Sequence, residues 1–237
     1  MTSKPQLDGH VAIVTGGSRG IGLALTRGFV ARGGRVVISG RSQNDLGAVV
    51  AELGAAVAVV QGDVADPAVA EAMVRTAVER FGGLDCLINN AGVATFAPVA
   101  DMALTDWDRM MATNLTGVFL CTKASIPALR QRGGGWIINV SSLAGRNSFA
   151  GGGAYCATKA GLNAFTESLM LEVRPDNIRV STVMPGSVQT GFSAGGDGPE
   201  ADWKLSPDDV AQVVFDLLGH SARSLPSRVE IRPSRPK

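Results

Sequence analysis

Val11-Ala12-Ile13-Val14-Thr15-Gly16-Gly17-Ser18-Arg19-Gly20-Ile21-Gly22 decides the reading of this chain. Five apolar or β-branched residues with no polar alternation predict a strand covered on both faces. A glycine-rich turn follows at once, and a helix-like stretch begins at about residue 21. Gly16 permits the tight turn, Gly20 lets the main chain approach a phosphate, and Gly22 lets the helix pack closely. A helix that starts in such a turn presents free N–H groups and a partial positive charge. Gly16, Ser18, Arg19, Gly20 and Ile21 are therefore candidates to hold the pyrophosphate of a dinucleotide. The spacing is GxxxGxG rather than the commoner GxGxxG, so its place after the first strand carries the argument. The same residues also match G-x-S-x-G through Gly16, Ser18 and Gly20, the elbow of a serine hydrolase. Two facts count against a hydrolase. The elbow would lie on the first strand with no earlier sheet to support it. The only histidines are His10 and His220, the latter at the end of a late helix.

Strand-like and helix-like stretches alternate along the chain. Val11–Thr15, Arg35–Ser39, Ala56–Gln61, Leu84–Asn89, Trp136–Ser141, Ile178–Met184 and Arg228–Arg232 read as strands. Helices are expected at about 21–33, 43–53, 67–81, 105–131, 153–173 and 207–219. Asp66 and Ser206 stand as N-caps before Pro67 and Pro207 in the first turn. This alternation implies an α/β fold with right-handed crossovers, a doubly wound parallel sheet with helices on both faces. No linker or repeat divides it, so residues 1–237 read as a single domain. The glycine-rich region within 191–205 interrupts a strand-helix connection and reads as a mobile substrate-side loop.

Composition narrows the class. The chain has 237 residues, 45% of them hydrophobic and 18% charged, with a net charge of +1. That is enough apolar residue for a large core, and it carries no basic surplus for nucleic acid or a membrane surface. No apolar run is long enough to span a bilayer. The N-terminal ten residues are polar and show no signal-peptide core. Cys86, Cys121 and Cys156 lack CxxC spacing, so reduced thiols in a cytoplasmic protein are expected and no metal site is.

The second strand ends Ser39-Gly40-Arg41. An acidic residue there would hydrogen-bond a ribose 2′-hydroxyl and favour NAD. Arg41, with Arg19 in the phosphate turn, instead suits a 2′-phosphate, so NADP(H) is favoured over NAD(H). Asp63 either holds the adenine amino group or caps the next turn. Tyr155, the only tyrosine, lies one helical turn before Lys159. A phenol with a pKa near 10 needs about 4 kcal/mol of phenolate stabilisation to work near neutral pH, and a lysine on the same face supplies a cation. Ser142 ends the fifth strand, where the site of such a sheet belongs, and can hold a carbonyl oxygen toward Tyr155. Asn114, inside a long helix, can bind a water that links Lys159 to solvent.

With these residues in place, the chain resembles the short-chain dehydrogenase/reductases, in the branch of about 250 residues. The resemblance rests on Thr15–Gly22, Asp63-Val64, Asn89-Asn90-Ala91-Gly92, Asn114, Ser141-Ser142, Tyr155–Lys159 and Pro185-Gly186 with Thr190, in the same order over nearly the whole chain. It implies a Rossmann-type sheet of about seven strands in the order 3-2-1-4-5-6-7. It also implies a carbonyl reductase, or a secondary-alcohol dehydrogenase, with Tyr155 as general acid or base. Lys159 would lower the tyrosine pKa and bind the nicotinamide ribose, Ser142 would orient the substrate oxygen, and Asn114 would support a proton relay. Asn90, Ala91 and Gly92 would border the cofactor, and Pro185, Gly186, Val188 and Thr190 would meet the nicotinamide carboxamide. The Tyr-x-x-x-Lys spacing excludes the enoyl-thioester branch. With all four catalytic positions present, a silent sensor or scaffold is disfavoured.

The resemblance further implies a homo-oligomer, a tetramer or dimer, built on the helices at 105–131 and 153–173. The tail after Arg228–Arg232 departs from the family's glycine pair and puts one two-fold interface in doubt. Ala94, Phe96, Leu143, Phe149 and Phe192 are candidate pocket residues. Pro127 and Leu171 stand where acyl-carrier reductases carry basic residues, which weakens a 3-oxoacyl thioester reading, although Arg130 and Arg132 are near. Asp197, Glu200 and Asp202 make the expected lid acidic, unfavourable to highly anionic carriers. Arg146 either anchors a substrate carboxylate or supports its own loop.

Overall fold

The structure is a computed structural model that describes residues 6–190 and 202–235. Seven parallel strands form one sheet in the order β3-β2-β1-β4-β5-β6-β7. They are β1 (Val11–Thr15), β2 (Arg35–Gly40), β3 (Val57–Gln61), β4 (Cys86–Asn89), β5 (Gly135–Val140), β6 (Ile178–Pro185) and β7 (Arg228–Ile231). Every residue of β1 and β4 is buried, as central strands of a twice-covered sheet must be.

Side chains alternate between the two faces. On one face Ala12, Val14, Val36 and Ile38 meet α1 (Gly20–Val30), α2 (Gln43–Leu53) and α7 (Pro207–Leu218). On the other, Val11, Ile13, Val37 and Ile137 meet α3 (Pro67–Phe81), α5 (Gly117–Gln131) and α6 (Gly153–Val173). The polar caps fall where expected. The Asp66 side chain accepts from the Ala68 N–H ahead of Pro67. Ser206 and Asp209 form a reciprocal capping box around Pro207.

The expected helix 105–131 is two helices. α4 (Leu104–Met111) and α5 are joined by a π-helical turn over Ala112–Thr116, with Asn114 at its centre. Periodicity alone could not show the extra residue. The first helix also stops earlier than expected, at Val30, where Gly33 and Gly34 turn the chain into β2. β4 begins at Cys86 rather than Leu84, although Leu84 is itself fully buried.

Strand order reverses between β1 and β4, which leaves a crevice at the carboxyl ends of the strands. The glycine turn, Asn90-Ala91-Gly92 and Ser142 all sit there. Of the 191–205 loop, residues 191–201, and with them Phe192, Asp197 and Glu200, lie outside the described residues. Its described end is stitched back: Leu205 donates to Ser187 O at 2.9 Å and Gln189 to Leu205 O at 2.9 Å. Among the described residues no helix is long and apolar enough to cross a membrane.

α7 is held to α1 by Phe215, whose ring meets Phe29 edge-to-face at 5.5 Å and lies under the Arg32 guanidinium at 3.8 Å. Gly28 is needed beneath it, because a Cβ there would be 2.3 Å from the ring. Phe215→Ala should cost about 4 kcal/mol of unfolding free energy. Urea denaturation measures this, and a loss below about 1 kcal/mol would show that the α1–α7 contact is not a core element.

Candidate active site

The phosphate turn is built as the sequence reading requires, with one addition. Gly16 has φ +64°, a backbone shape that favours glycine. A Cβ on Gly22 would stand 2.1 Å from the Gly16 carbonyl oxygen and 2.6 Å from Asn90 Nδ2. The helix therefore packs against the turn itself and the end of β4. α1 begins without a side-chain cap, whereas Ser42 caps α2. Its N-terminus opens onto a cleft of about 1100 Å³ lined by Gly16, Ser18, Arg19, Gly20, Ile21 and Arg41. The same cleft is lined by Asp63, Val64, Asn90, Ala91, Gly92, Pro185, Gly186, Val188 and Thr190. All the proposed cofactor-binding positions thus border one space. A single drug-sized ligand rarely needs more than about 1000 Å³, so the volume suits a dinucleotide with a second molecule.

Thr15 is the residue that the sequence reading missed here. Its buried hydroxyl accepts the N–H groups of Asn90 and Ala91, both at 2.9 Å. Asn90 Nδ2 returns hydrogen bonds to Thr15 O at 2.9 Å and Gly16 O at 3.3 Å. A threonine that ends a buried strand before a glycine was the available signal.

At the far side, no acid follows β2. Arg41 is exposed and lines the cleft, and Arg19 reaches the Asp45 carboxylate at 3.2 Å. The Ser39 hydroxyl also borders the cleft, buried and without a protein partner. Asp63 accepts from the Ala65 N–H at 3.0 Å, so its capping role is present whatever else it contacts.

Ser142, Tyr155 and Lys159 line the other part of the cleft, from the end of β5 and the first turns of α6. Tyr155 is hydrogen-bonded to Ser142. Lys159 is 4% exposed, and its Nζ donates to Val140 O at 3.0 Å and lies 5.8 Å from the Tyr155 ring centre. Burial brings the lysine pKa down to about 8. Burial also raises that of Tyr155, and the Ser142 hydrogen bond works in the opposite direction. The expectation that Lys159 lowers the tyrosine pKa is therefore not met by the protein groups alone. Desolvation of the phenolate outweighs what they supply.

Asn114 is fully buried and stands behind the cleft wall. Its Oδ1 accepts from Val93 N, and its Nδ2 donates to Val93 O, both at 2.8 Å. Nδ2 also reaches Thr158 Oγ1 at 3.2 Å, and that hydroxyl donates to Tyr155 O at 2.8 Å. The side chain thus clamps the strand exit after Gly92 to α6, rather than facing the open cleft.

Ala94, Phe96, Leu143 and Phe149, the candidate pocket residues, line the same cleft. Phe96 meets Phe149 and Tyr155 edge-to-face, at 5.5 and 5.7 Å. Arg146 pairs with Glu230, which supports the loop reading over a substrate role. His220 contacts Ser224 and does not line the cleft, so Ser18 has no histidine beside it there. The three cysteines are buried and unpaired, with the Cys121 thiol pushed up to about 12 by burial. Among the described residues no cluster suited to a metal occurs.

Sheet order, uncapped glycine turn and switch-point cleft define a dinucleotide-binding class of α/β protein. The family model described as short chain dehydrogenase matches residues 10–197. The chain is 41% identical over 217 residues to the 3-alpha-(or 20-beta)-hydroxysteroid dehydrogenase of Mycobacterium tuberculosis, covering 92% of this chain and 78% of that one. It is similar in structure to serine dehydrogenase complexed with NADP+, with a TM-score of 0.87 and 33% identity over 93% of this chain and 94% of that one. It is also similar to an alcohol dehydrogenase from Thermococcus sibiricus complexed with 5-hydroxy-NADP, with a TM-score of 0.88 and 29% identity over 96% and 99% of the two chains. The chain belongs to the short-chain dehydrogenase/reductase family and is an oxidoreductase.

The depressed Lys159 pKa has a measurable consequence. Below pH 8 the lysine is charged in both states, and the folded protein bears the cost of burying it. Between pH 8 and 10.5 the folded form releases its proton while the unfolded chain keeps it, so this site's contribution to stability rises with pH. Relative to Lys159→Met, wild-type unfolding free energy should gain up to about 3 kcal/mol across that window. Urea titrations at both ends of the window test it, and parallel curves for the two proteins would refute it.

Proposed function

We propose that this enzyme exchanges a hydride between NADP(H) and a carbonyl compound or its secondary alcohol, with Tyr155 as general acid/base. The observation that carries the reading is Tyr155 hydrogen-bonded to Ser142 on the cleft wall, with the buried Lys159 ammonium beside it. When bound, the nicotinamide supplies the hydride and, once oxidised, a positive charge near the phenol. The protein groups do the rest. Ser142 holds the substrate oxygen in line with Tyr155. Tyr155 gives that oxygen a proton during reduction, or takes one during oxidation. Lys159 keeps a cation within reach of the developing phenolate, and Val140 O fixes its Nζ. Asn114 maintains the distance between the Val93 segment and α6. Tyr155→Phe should retain NADPH binding and lose at least about 100-fold in kcat, the usual scale for a lost proton-transfer group. Turnover near wild-type level in that variant would remove Tyr155 from the mechanism.

The NADP preference rests on Arg41 and Arg19 beside a β2 end without a carboxylate. A 2′-phosphate accepts bidentate guanidinium hydrogen bonds, and Arg41→Asp would repel it. The variant should lower the ratio of NADP to NAD efficiency by at least about tenfold, the equivalent of one charged contact. An unchanged ratio in a nicotinamide-absorbance assay would overturn the assignment. We also infer a homo-oligomer, because Trp107 on α4, Phe119 on α5 and Leu171 on α6 expose large apolar area in the single chain.

A further inference from the structure

Arg109, Lys204, Arg232 and Arg235 line the cleft, and among the described residues the one acid that lines it is Asp63, after β3. Asp202, the described member of the expected acidic lid, does not line it. Acids do reach these cations from behind. Asp106 accepts from Arg109 Nη2 at 2.8 Å. Glu230 accepts from Arg232 Nη2 at 2.9 Å and also pairs with Arg146. One carboxylate shared by two guanidinium groups leaves one positive charge in excess. Arg235 adds another, with no ion pair among the described residues.

The segment that carries Arg232 is tied to the end of β6. The Gly186 N–H donates to Ile231 O at 2.8 Å, and a Cβ on Gly186 would lie 3.0 Å from Pro233 Cδ. The segment leaving β7 therefore passes over the β6 exit beside Leu143, whose Cδ1 would lie 3.2 Å from the same Cβ, at the end of the cleft read here as the substrate end. Phe96 and Phe149 give the same end an aromatic wall that touches Tyr155. A cleft with low-dielectric walls and cations of one sign concentrates anions, and a guanidinium matches a carboxylate in two parallel hydrogen bonds.

We propose that the substrate is a monocarboxylate ketone, or the corresponding hydroxy acid, whose carboxylate is held by Arg232 and Arg235 and whose apolar body lies on Phe96 and Phe149. The inference rests on the carbonyl-reductase reading above. The chemistry balances without the carboxylate: the carbonyl carbon gains a hydride from NADPH, which becomes NADP+, and the carbonyl oxygen gains a proton from Tyr155.

The test compares levulinate and para-acetylbenzoate with their methyl esters in an NADPH-oxidation assay. At least one acid should exceed its ester by about tenfold in kcat/KM, the scale of one charge-assisted contact. Added salt should raise KM for the acid and not for the ester. Arg235→Gln and Arg232→Gln should each shrink the acid-to-ester ratio through KM rather than kcat. Esters equal to or better than both acids in the wild type would overturn the proposal, as would a ratio untouched by both substitutions. A second measurement separates this failure from failure of the reaction itself. Equilibrium dialysis of para-acetylbenzoate against Tyr155→Phe enzyme saturated with NADP+ reads the anion seat without turnover. Retention that is lost on adding Arg235→Gln supports the seat even if no substrate is reduced, in which case only the reaction reading falls. No retention, together with no preference for the acids, sinks the carboxylate seat.

Discussion

The Thr15 hydroxyl joins two strands that are distant in sequence. β1 and β4 are neighbours in the sheet, and their carboxyl ends have main-chain groups that the ladder no longer satisfies. Thr15 Oγ1 takes two N–H groups from the start of the Asn90-Ala91-Gly92 segment, and Asn90 Nδ2 returns bonds to Thr15 and Gly16. Buried main-chain polar groups left unpaired would each cost about 1–3 kcal/mol. Satisfying them here also fixes the glycine turn against the floor of the cleft. The position of α1, and hence the direction of its N-terminus, follows from that tie, because Gly22 has no room to retreat from Gly16 or Asn90.

A second polar layer continues the pattern across the sheet. Asn89 Nδ2 donates to Asn139 Oδ1 at 2.8 Å, and Asn139 Nδ2 donates to Thr166 Oγ1 at 2.8 Å. β4, β5 and α6 are thereby locked in register by fully buried amides. α6 carries Tyr155 and Lys159 at its other end, so its placement along the sheet matters for the site. Lys159 enters this environment at an electrostatic cost, and its Nζ donates to the Val140 carbonyl beside the half-buried Tyr155 ring.

Fold class was almost wholly legible in the residues. Continuous apolar runs marked each strand, and Asp66-Pro67 and Ser206-Pro207 marked two helix starts, because those signals act locally. The shape of the glycine turn was legible for the same reason, with glycine demanded by sterics. Four features were not. Thr15 reads as one more β-branched strand residue until the 75-residue jump to Asn90 is known. The π turn leaves no mark on an apolar pattern that fits one long helix. The cations of the cleft wall come from three separate segments, around Arg109, Lys204 and Arg232 to Arg235, and only folding brings them together. The effect of burial on Tyr155 was also beyond reach, since it depends on the walls around the phenol rather than on its spacing from Lys159.

The π turn at Ala112–Thr116 adds one residue to the path between α4 and α5 without lengthening the contact that Asn114 makes with Val93. Each residue of an α-helix rotates the chain by about 100°. Deleting one residue there would regularise the helix and leave every propensity intact or improved. It would also swing the face of α4 that carries Met110 and Arg109 by roughly a quarter turn relative to α5. The number of residues in this turn, and not only the identity of Asn114 at its centre, therefore sets how α4 faces α5.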